Sequence, residues 1–268
     1  PKKYQILLAT LFLMSTPWRN GVGNGQHALF ALSFFLLGVI IDKSDRRFSG
    51  IPLGISWFKY SVTFPLTLYF TRSKRGWLNI CIASVLNIAL LFFAALWANS
   101  NILDLLIGPL KVAQSYTGTG YIDVFAISSL LNINSKLIPV SISIFILLIS
   151  YISIRKETDT LSSLSTLSLA AMVIVFHGYY DFVILILPLA FALSERGRSL
   201  RSKLYLIVVI SIWFIDKIIY VINTHESLES LVFITSYYFG LKVLFLYGTL
   251  CTDWIILIKK HYKNLPHN

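Results

Sequence analysis

The sequence predicts an all-α, polytopic transmembrane helix bundle with short and broken helices, and three observations predict it. Apolar residues fill 56% of the 268 positions and charged residues only 13%, where soluble domains run near a half and a quarter. The mean hydropathy is +0.72. The apolar residues come in long runs without heptads, and the basic residues fall between the runs. So little charge excludes a disordered chain. Two cysteines, Cys81 and Cys251, exclude a disulfide-stapled secreted domain, and each lies inside an apolar run where a buried thiol is expected. A net charge of +11 suits nucleic acid only as a basic face on a soluble module. Here the cations punctuate hydrophobic segments, so membrane lipids are the expected partner and nucleic acid is not.

The runs cover residues 4–16, 27–41, 50–70, 77–98, 137–154, 161–176, 179–193, 204–222 and 228–258. A full crossing needs about 20 apolar residues, and several runs are shorter. The first follows Lys2-Lys3 and reads as a start in mid-protein. The second follows a Gly-rich turn over 20–26, and the third carries Lys59 near its centre and Pro65 six residues later. The sixth and seventh are short and meet at His177-Gly178-Tyr179. The eighth and ninth hold Asp216-Lys217 and Lys242, expected to pair across helices. Trp77, Trp97 and Tyr262 at run ends read as interface anchors.

Lys and Arg fix the orientation, because basic loops stay in the cytoplasm. Six clusters hold 17 of the 23 basic residues: Lys2-Lys3, Lys43 with Arg46-Arg47, Arg72 with Lys74-Arg75, Arg155-Lys156, Arg196 to Lys203, and Lys259-Lys260 with Lys263. If every run crosses once, the third cluster and most later ones fall outside. If 50–70 is a hairpin that enters and leaves from the cytoplasm, all six are cytoplasmic, with Lys59 at the tip. Irregular backbone at that depth requires protein or a wet cavity around it. The alternative is an ordinary helix whose lysine snorkels.

This topology gives one transmembrane domain over 1–268 in a multi-pass protein, whose expected location is the bacterial plasma membrane. Its only substantial outer loop is 99–136, with an apolar stretch at 102–112, a flexible Thr117-Gly118-Thr119-Gly120 and a weak helix over 123–131. Segments lying along the interface fit this pattern better than a soluble domain.

Polar residues at membrane depth are expensive, so each is a candidate site. Asn24 and Gln26 lie in the outer NGVGNGQ turn, which lacks the strand and spacing of a dinucleotide loop but can offer amides to sugar hydroxyls or phosphate. The Lys59 ammonium in a low-dielectric site attracts phosphate, with a structural ion pair as the rival role. His177 and Asp181, four residues apart, can share a helix face, with the carboxylate orienting the imidazole. The alternative is Asp181 as a helix cap beside a satisfied histidine. The spacing supplies no set of metal ligands, so neither a metal nor another cofactor is expected.

Asn24-Gly25-Gln26, then Gly50-Ile51-Pro52-Leu53-Gly54-Ile55-Ser56-Trp57-Phe58-Lys59 with Pro65 and the basic Arg72 to Arg75, resemble the NGQ and G-x-x-x-G-x-x-x-x-K segments of glycosyltransferase family 87. Tyr180-Asp181 with Leu185, Leu187 and Pro188 is similar to that family's Tyr-Asp-apolar-Leu-Pro segment. The resemblance covers roughly 18–193. It implies a GT-C fold that moves a sugar, mannose or a similar one, from a polyprenyl-phosphate donor to a lipid-linked or cell-envelope glycan acceptor. It implies that Lys59 holds the donor phosphate and that Asn24, Gln26, His177, Tyr180 and Asp181 line an outer cavity. The family's catalytic aspartate has no counterpart here, so the base is unassigned. In the place of its later Asn-Gln-Ser segment stands Ser128-Ser129. A transporter or flippase of a lipid-linked substrate would share the cationic cleft and broken helices but usually shows two related halves. A non-catalytic scaffold explains neither Lys59 nor the outer polar turns.

Overall fold

A computed structural model describes residues 2–23, 27–44, 48–105, 107–108, 122–174, 177–224 and 232–263, and among these there is no strand. The elements are α1 Lys2–Met14, α2 Thr16–Gly23, α3 Ala28–Lys43, α4 Gly50–Ser56, a 3-10 turn Trp57–Lys59, α5 Tyr60–Thr63 and a 3-10 segment Pro65–Arg72. Then come α6 Lys74–Ala98, α7 Val124–Leu130, α8 Leu137–Ile154, α9 Thr160–Ile174, a 3-10 segment Tyr179–Leu185 and α10 Ile186–Ser194. The described chain continues with α11 Leu200–Ile210, a π turn Ser211–Ile215, α12 Asp216–Thr224 and α13 Val232–Lys263. Among the described residues, three helical stretches are long and apolar enough to cross a membrane, α6, α8 and Tyr237–Tyr262 of α13, or four if α2 and α3 form one bent span.

The shorter apolar helix α9 is central instead of lipid-facing: every residue from Ser162 to Ile174 is buried. Its hydroxyls are absorbed locally, as where Ser165 donates to the Leu161 carbonyl at 2.7 Å. Two expectations need correction. The segment before Asn24 is not a turn: Ser15 Oγ accepts the Trp18 N–H at 3.3 Å and Pro17 sits in the first turn, a helix start that carries α2 to Gly23. Cys81 and Cys251 are exposed, not buried. A helix bordering lipid is apolar on its outer face too, so an apolar run does not specify burial.

The 50–70 stretch is a hairpin packed along α6. A Cβ on Gly50 would lie 2.7 Å from the Asn79 carbonyl, and one on Gly54 would lie 3.0 Å from Ala83 Cα, so the two glycines let α4 touch α6 backbone to backbone. Asn87 Nδ2 then donates to the Gly54 carbonyl at 2.8 Å. At Lys59 the backbone leaves the helical region, with φ −117° and ψ 66°. The returning limb is tied to the first where Thr63 Oγ1 donates to the Ser56 carbonyl at 2.9 Å and Trp57 Nε1 donates to Thr67 Oγ1 at 3.0 Å. It ends with Phe70 against Gly76. Both limbs thus end beside the first turns of α6, and the tip lies past Asn87, about 12 Å or more along that helix.

The described members of the basic clusters gather at the end of the bundle where the hairpin opens. Asp42 accepts from Asn79 Nδ2 at 2.9 Å and lies 3.8 Å from Arg75. Arg72 Nη1 donates to the Glu157 carbonyl at 2.6 Å and to Ser163 Oγ at 2.8 Å. Lys260 pairs with Glu157 at 2.9 Å, and Arg196 lies over the Tyr4 ring at 5.8 Å. Arg201, read from the sequence as one more loop cation, is buried. Its guanidinium pairs with Asp253, donates to Ser162 Oγ at 2.6 Å and to Tyr205 OH at 3.1 Å, and Tyr205 donates in turn to Asp253 at 2.8 Å. Paired and hydrogen-bonded in this way, the charge can be buried. Asp216 and Lys242 pair as expected, at 3.0 Å.

Candidate functional site

The site is built where the hairpin tip meets the break between α9 and α10. After α9 the chain straightens at Gly178, with φ −74° and ψ 164°. His177 there reaches back to the Ala171 carbonyl, with Nε2 at 2.8 Å. Because a carbonyl only accepts, Nε2 carries the proton and Nδ1 faces the other way. The 3-10 segment that follows is pinned by the π turn, where Trp213 Nε1 donates to the Phe182 carbonyl at 2.9 Å, and α2 packs against it from the other side.

Asp181 lies between Lys59 and His177. Lys59 Nζ is 3.3 Å from Oδ1, and His177 Nδ1 is 3.5 Å from Oδ2. The Lys59 ammonium also stands 5.0 Å above the Tyr180 ring, a cation–π contact. Asp181 is 3% exposed and Lys59 25%, so the carboxylate is sealed in while the ammonium reaches outward. Asp181 Oδ1 and His177 Nδ1 are buried and make no hydrogen bond. Two such atoms side by side are costly unless a polar partner enters the cluster.

Four of the six sequence candidates, Lys59, His177, Tyr180 and Asp181, therefore converge. Asn24 and Gln26 lie outside the described residues, although His27, which follows Gln26, sets its ring 5.9 Å from that of Phe58 beside Lys59. The cap alternative for Asp181 is not realised, since its side chain caps no N–H and the histidine beside it is not satisfied. His177 and Asp181 meet through an extended glycine and a 3-10 turn instead of one helix face. The Lys59–Asp181 contact is the ion pair foreseen as the rival role of this lysine, and it occupies one carboxylate oxygen while leaving part of the ammonium accessible.

Sequence reasoning missed Asp123. It starts α7 by accepting the N–H groups of Phe125 and Ala126 at 3.0 and 3.1 Å. Burial pushes its carboxyl above the usual range, while the Ala126 N–H and the nearby His177 pull it back. The signal available was Asp at the head of a short apolar stretch, a helix-cap signature. Its approach to His177 is tertiary. No family model, curated protein or solved structure matches the chain.

Proposed function

We propose that this protein is a multi-pass membrane glycosyltransferase of the GT-C type, acting at the outer face of the bacterial plasma membrane. It moves a sugar, mannose in the first instance, from a polyprenyl-phosphate donor to a lipid-linked or cell-envelope acceptor. The observation that carries the reading is Lys59, a partly accessible ammonium at the tip of a broken hairpin, held by Asp181 and Tyr180 at the end of the bundle opposite the basic clusters. A lipid-phosphate sugar partitions to the membrane, and its head needs a cation in a partly dry cleft.

In this reading Lys59 holds the donor phosphate, and Asn24, Gln26, His177, Tyr180 and Asp181 surround the sugar. The acceptor oxygen bonds to the sugar's anomeric carbon as the bond from that carbon to the phosphate oxygen breaks. The electron pair leaves with the phosphate, where Lys59 stabilises it, and the hydroxyl proton passes to a general base. The orphan Nδ1 of His177 and the buried carboxylate of Asp181, whose Oδ1 is ion-paired with Lys59 but makes no hydrogen bond, are suited to sugar hydroxyls, which both donate and accept.

The test is transfer from a radiolabelled polyprenyl-phosphate mannose by purified protein at matched folded concentration. Lys59→Met lowers transfer at least about tenfold, because a charge-assisted contact is worth about 1.5 to 3 kcal/mol. Lys59→Met with Asp181→Asn removes both members of the ion pair and restores stability but not transfer. Wild-type rates in Lys59→Met would remove the lysine from the site. Absence of transfer by the wild type from any polyprenyl-phosphate sugar would overturn the enzyme reading.

A further inference from the structure

The opposite, basic end carries a second feature that the proposed transfer does not use. Where α8 and α13 end together, a cleft of about 310 Å³ is lined by Ile152, Arg155, Lys156, Ile258, His261 and Tyr262. That volume lies in the range of small-molecule sites. The lining is sorted by depth. Ile152 stands one turn before Arg155 and Lys156, and Ile258 stands one turn before His261 and Tyr262, so each helix sets an apolar residue one turn deeper along its length than the polar ones at its end.

Three further observations bear on what the cleft takes. Arg155 and Lys156 are both exposed. They also line an adjoining cavity of about 320 Å³ with Arg72 and Asp42, so the two cations form the ridge between two hollows. The nearest buried acid, Glu157, does not neutralise them, because its carboxylate is taken by Lys260 at 2.9 and 3.0 Å. His261 Nε2 is buried and has no hydrogen-bond partner.

We infer that this cleft binds the phosphate headgroup of an anionic membrane phospholipid, with Arg155, Lys156 and His261 on the phosphate and the acyl chains running along Ile152 and Ile258. A free anion would need the cations but not the isoleucines. A zwitterionic lipid would need the isoleucines but gain little from two cations beside one phosphate. The ends of two apolar stretches long enough to cross place the cleft at headgroup depth, where a basic pocket between helices selects anionic lipid.

The experiment is native mass spectrometry of the purified chain in detergent micelles, titrated with dioleoyl phosphatidylglycerol or dioleoyl phosphatidylcholine. The wild type retains phosphatidylglycerol in preference to phosphatidylcholine. Arg155→Gln with Lys156→Gln weakens that retention at least about tenfold, the loss of charge-assisted contacts. Arg198→Gln with Lys203→Gln removes the same charge from exposed positions at the same end and leaves retention unchanged. Lys156→Gln alone gives an intermediate loss and serves if the double variant folds poorly. Equal retention of the two lipids overturns the inference, and so does equal loss in the two double variants, which would make the effect diffuse charge. Displacement of the lipid by equimolar inorganic phosphate would make the cleft a soluble-anion site and overturn it too.

Discussion

At the scale of single residues, the buried charges of this protein differ in how they are compensated. Arg201 and Asp253 are enclosed by Ser162, Thr166 and Tyr205, so no member of that group lacks a partner. Asp181 has partners at ion-pair distance but an oxygen without a hydrogen bond, which is why the site and not the Arg201 network reads as functional. Glu157 offers a direct test of the basic end. Burial pushes its carboxyl up, but the hydrogen bond from Lys260, the Asp159 N–H at 3.0 Å and the nearby cations outweigh burial and hold it below its ordinary value. A depressed carboxyl stabilises the fold above its unfolded-state value, and that stability is lost as pH falls through the folded-state value. Thermal melts of the purified protein from pH 7 down to about 3.5 should therefore show stability falling in the acid range. Glu157→Gln should start about 1 kcal/mol lower at neutral pH, a discounted figure because Lys260 is half exposed, and fall less steeply on acidification. Parallel curves for variant and wild type would show that Glu157 is not what acid titrates.

At the scale of elements, the hairpin depends on the contact between α4 and α6. Gly50→Ala pushes a methyl group to 2.7 Å from the Asn79 carbonyl, and Gly54→Leu meets Ala83 and Leu86 at 3.0 Å, so each should cost about 1 to 3 kcal/mol. Gly248→Ala, with nothing within 4 Å of the new methyl, should cost nothing, and melting temperatures in detergent compare the three. Much of this architecture was legible in the sequence. The fifth apolar run has the same bounds as α8, and the hairpin followed from Lys59 and Pro65 together with the side on which basic clusters belong. What was not legible depended on neighbours far along the chain. Glycines before Asn24 read as a turn, although Ser15 and Pro17 open a helix that packs on the 3-10 segment after Gly178. Arg201 reads as a loop cation until Asp253 arrives beside it from 52 residues away. Asp123 only opens the weak helix over 123–131 in the sequence, and it is the fold that carries it to His177.

At the scale of the whole molecule, the chain is polarised. Contacts from Tyr4 to Arg196, Arg75 to Asp42, Arg72 to Ser163 and Lys260 to Glu157 tie the described members of the basic clusters to one end, while Lys59 and Asp181 close the other. Exposed Trp77, Trp97 and Tyr262 stand near the ends of α6 and α13, where aromatic anchors belong at a membrane interface. The polarity gives a topology test that separates a hairpin from a crossing. A crossing places Ser44 and Lys74 on opposite faces of the membrane, and a hairpin places them on the same face. Both are exposed, so Ser44→Cys and Lys74→Cys, each in a Cys81→Ser/Cys251→Ser background, can be labelled without disturbing the core. With a membrane-impermeant maleimide, intact cells should leave both unlabelled and inverted vesicles should label both. A third variant, Asn101→Cys, lies beyond the far end of α6 and should label from outside in intact cells. Labelling of Ser44→Cys and Lys74→Cys from opposite sides would turn 50–70 into an ordinary span. It would also put Lys59 at mid-membrane, separate the basic clusters across the bilayer and remove the outer-facing site on which the proposed transfer depends.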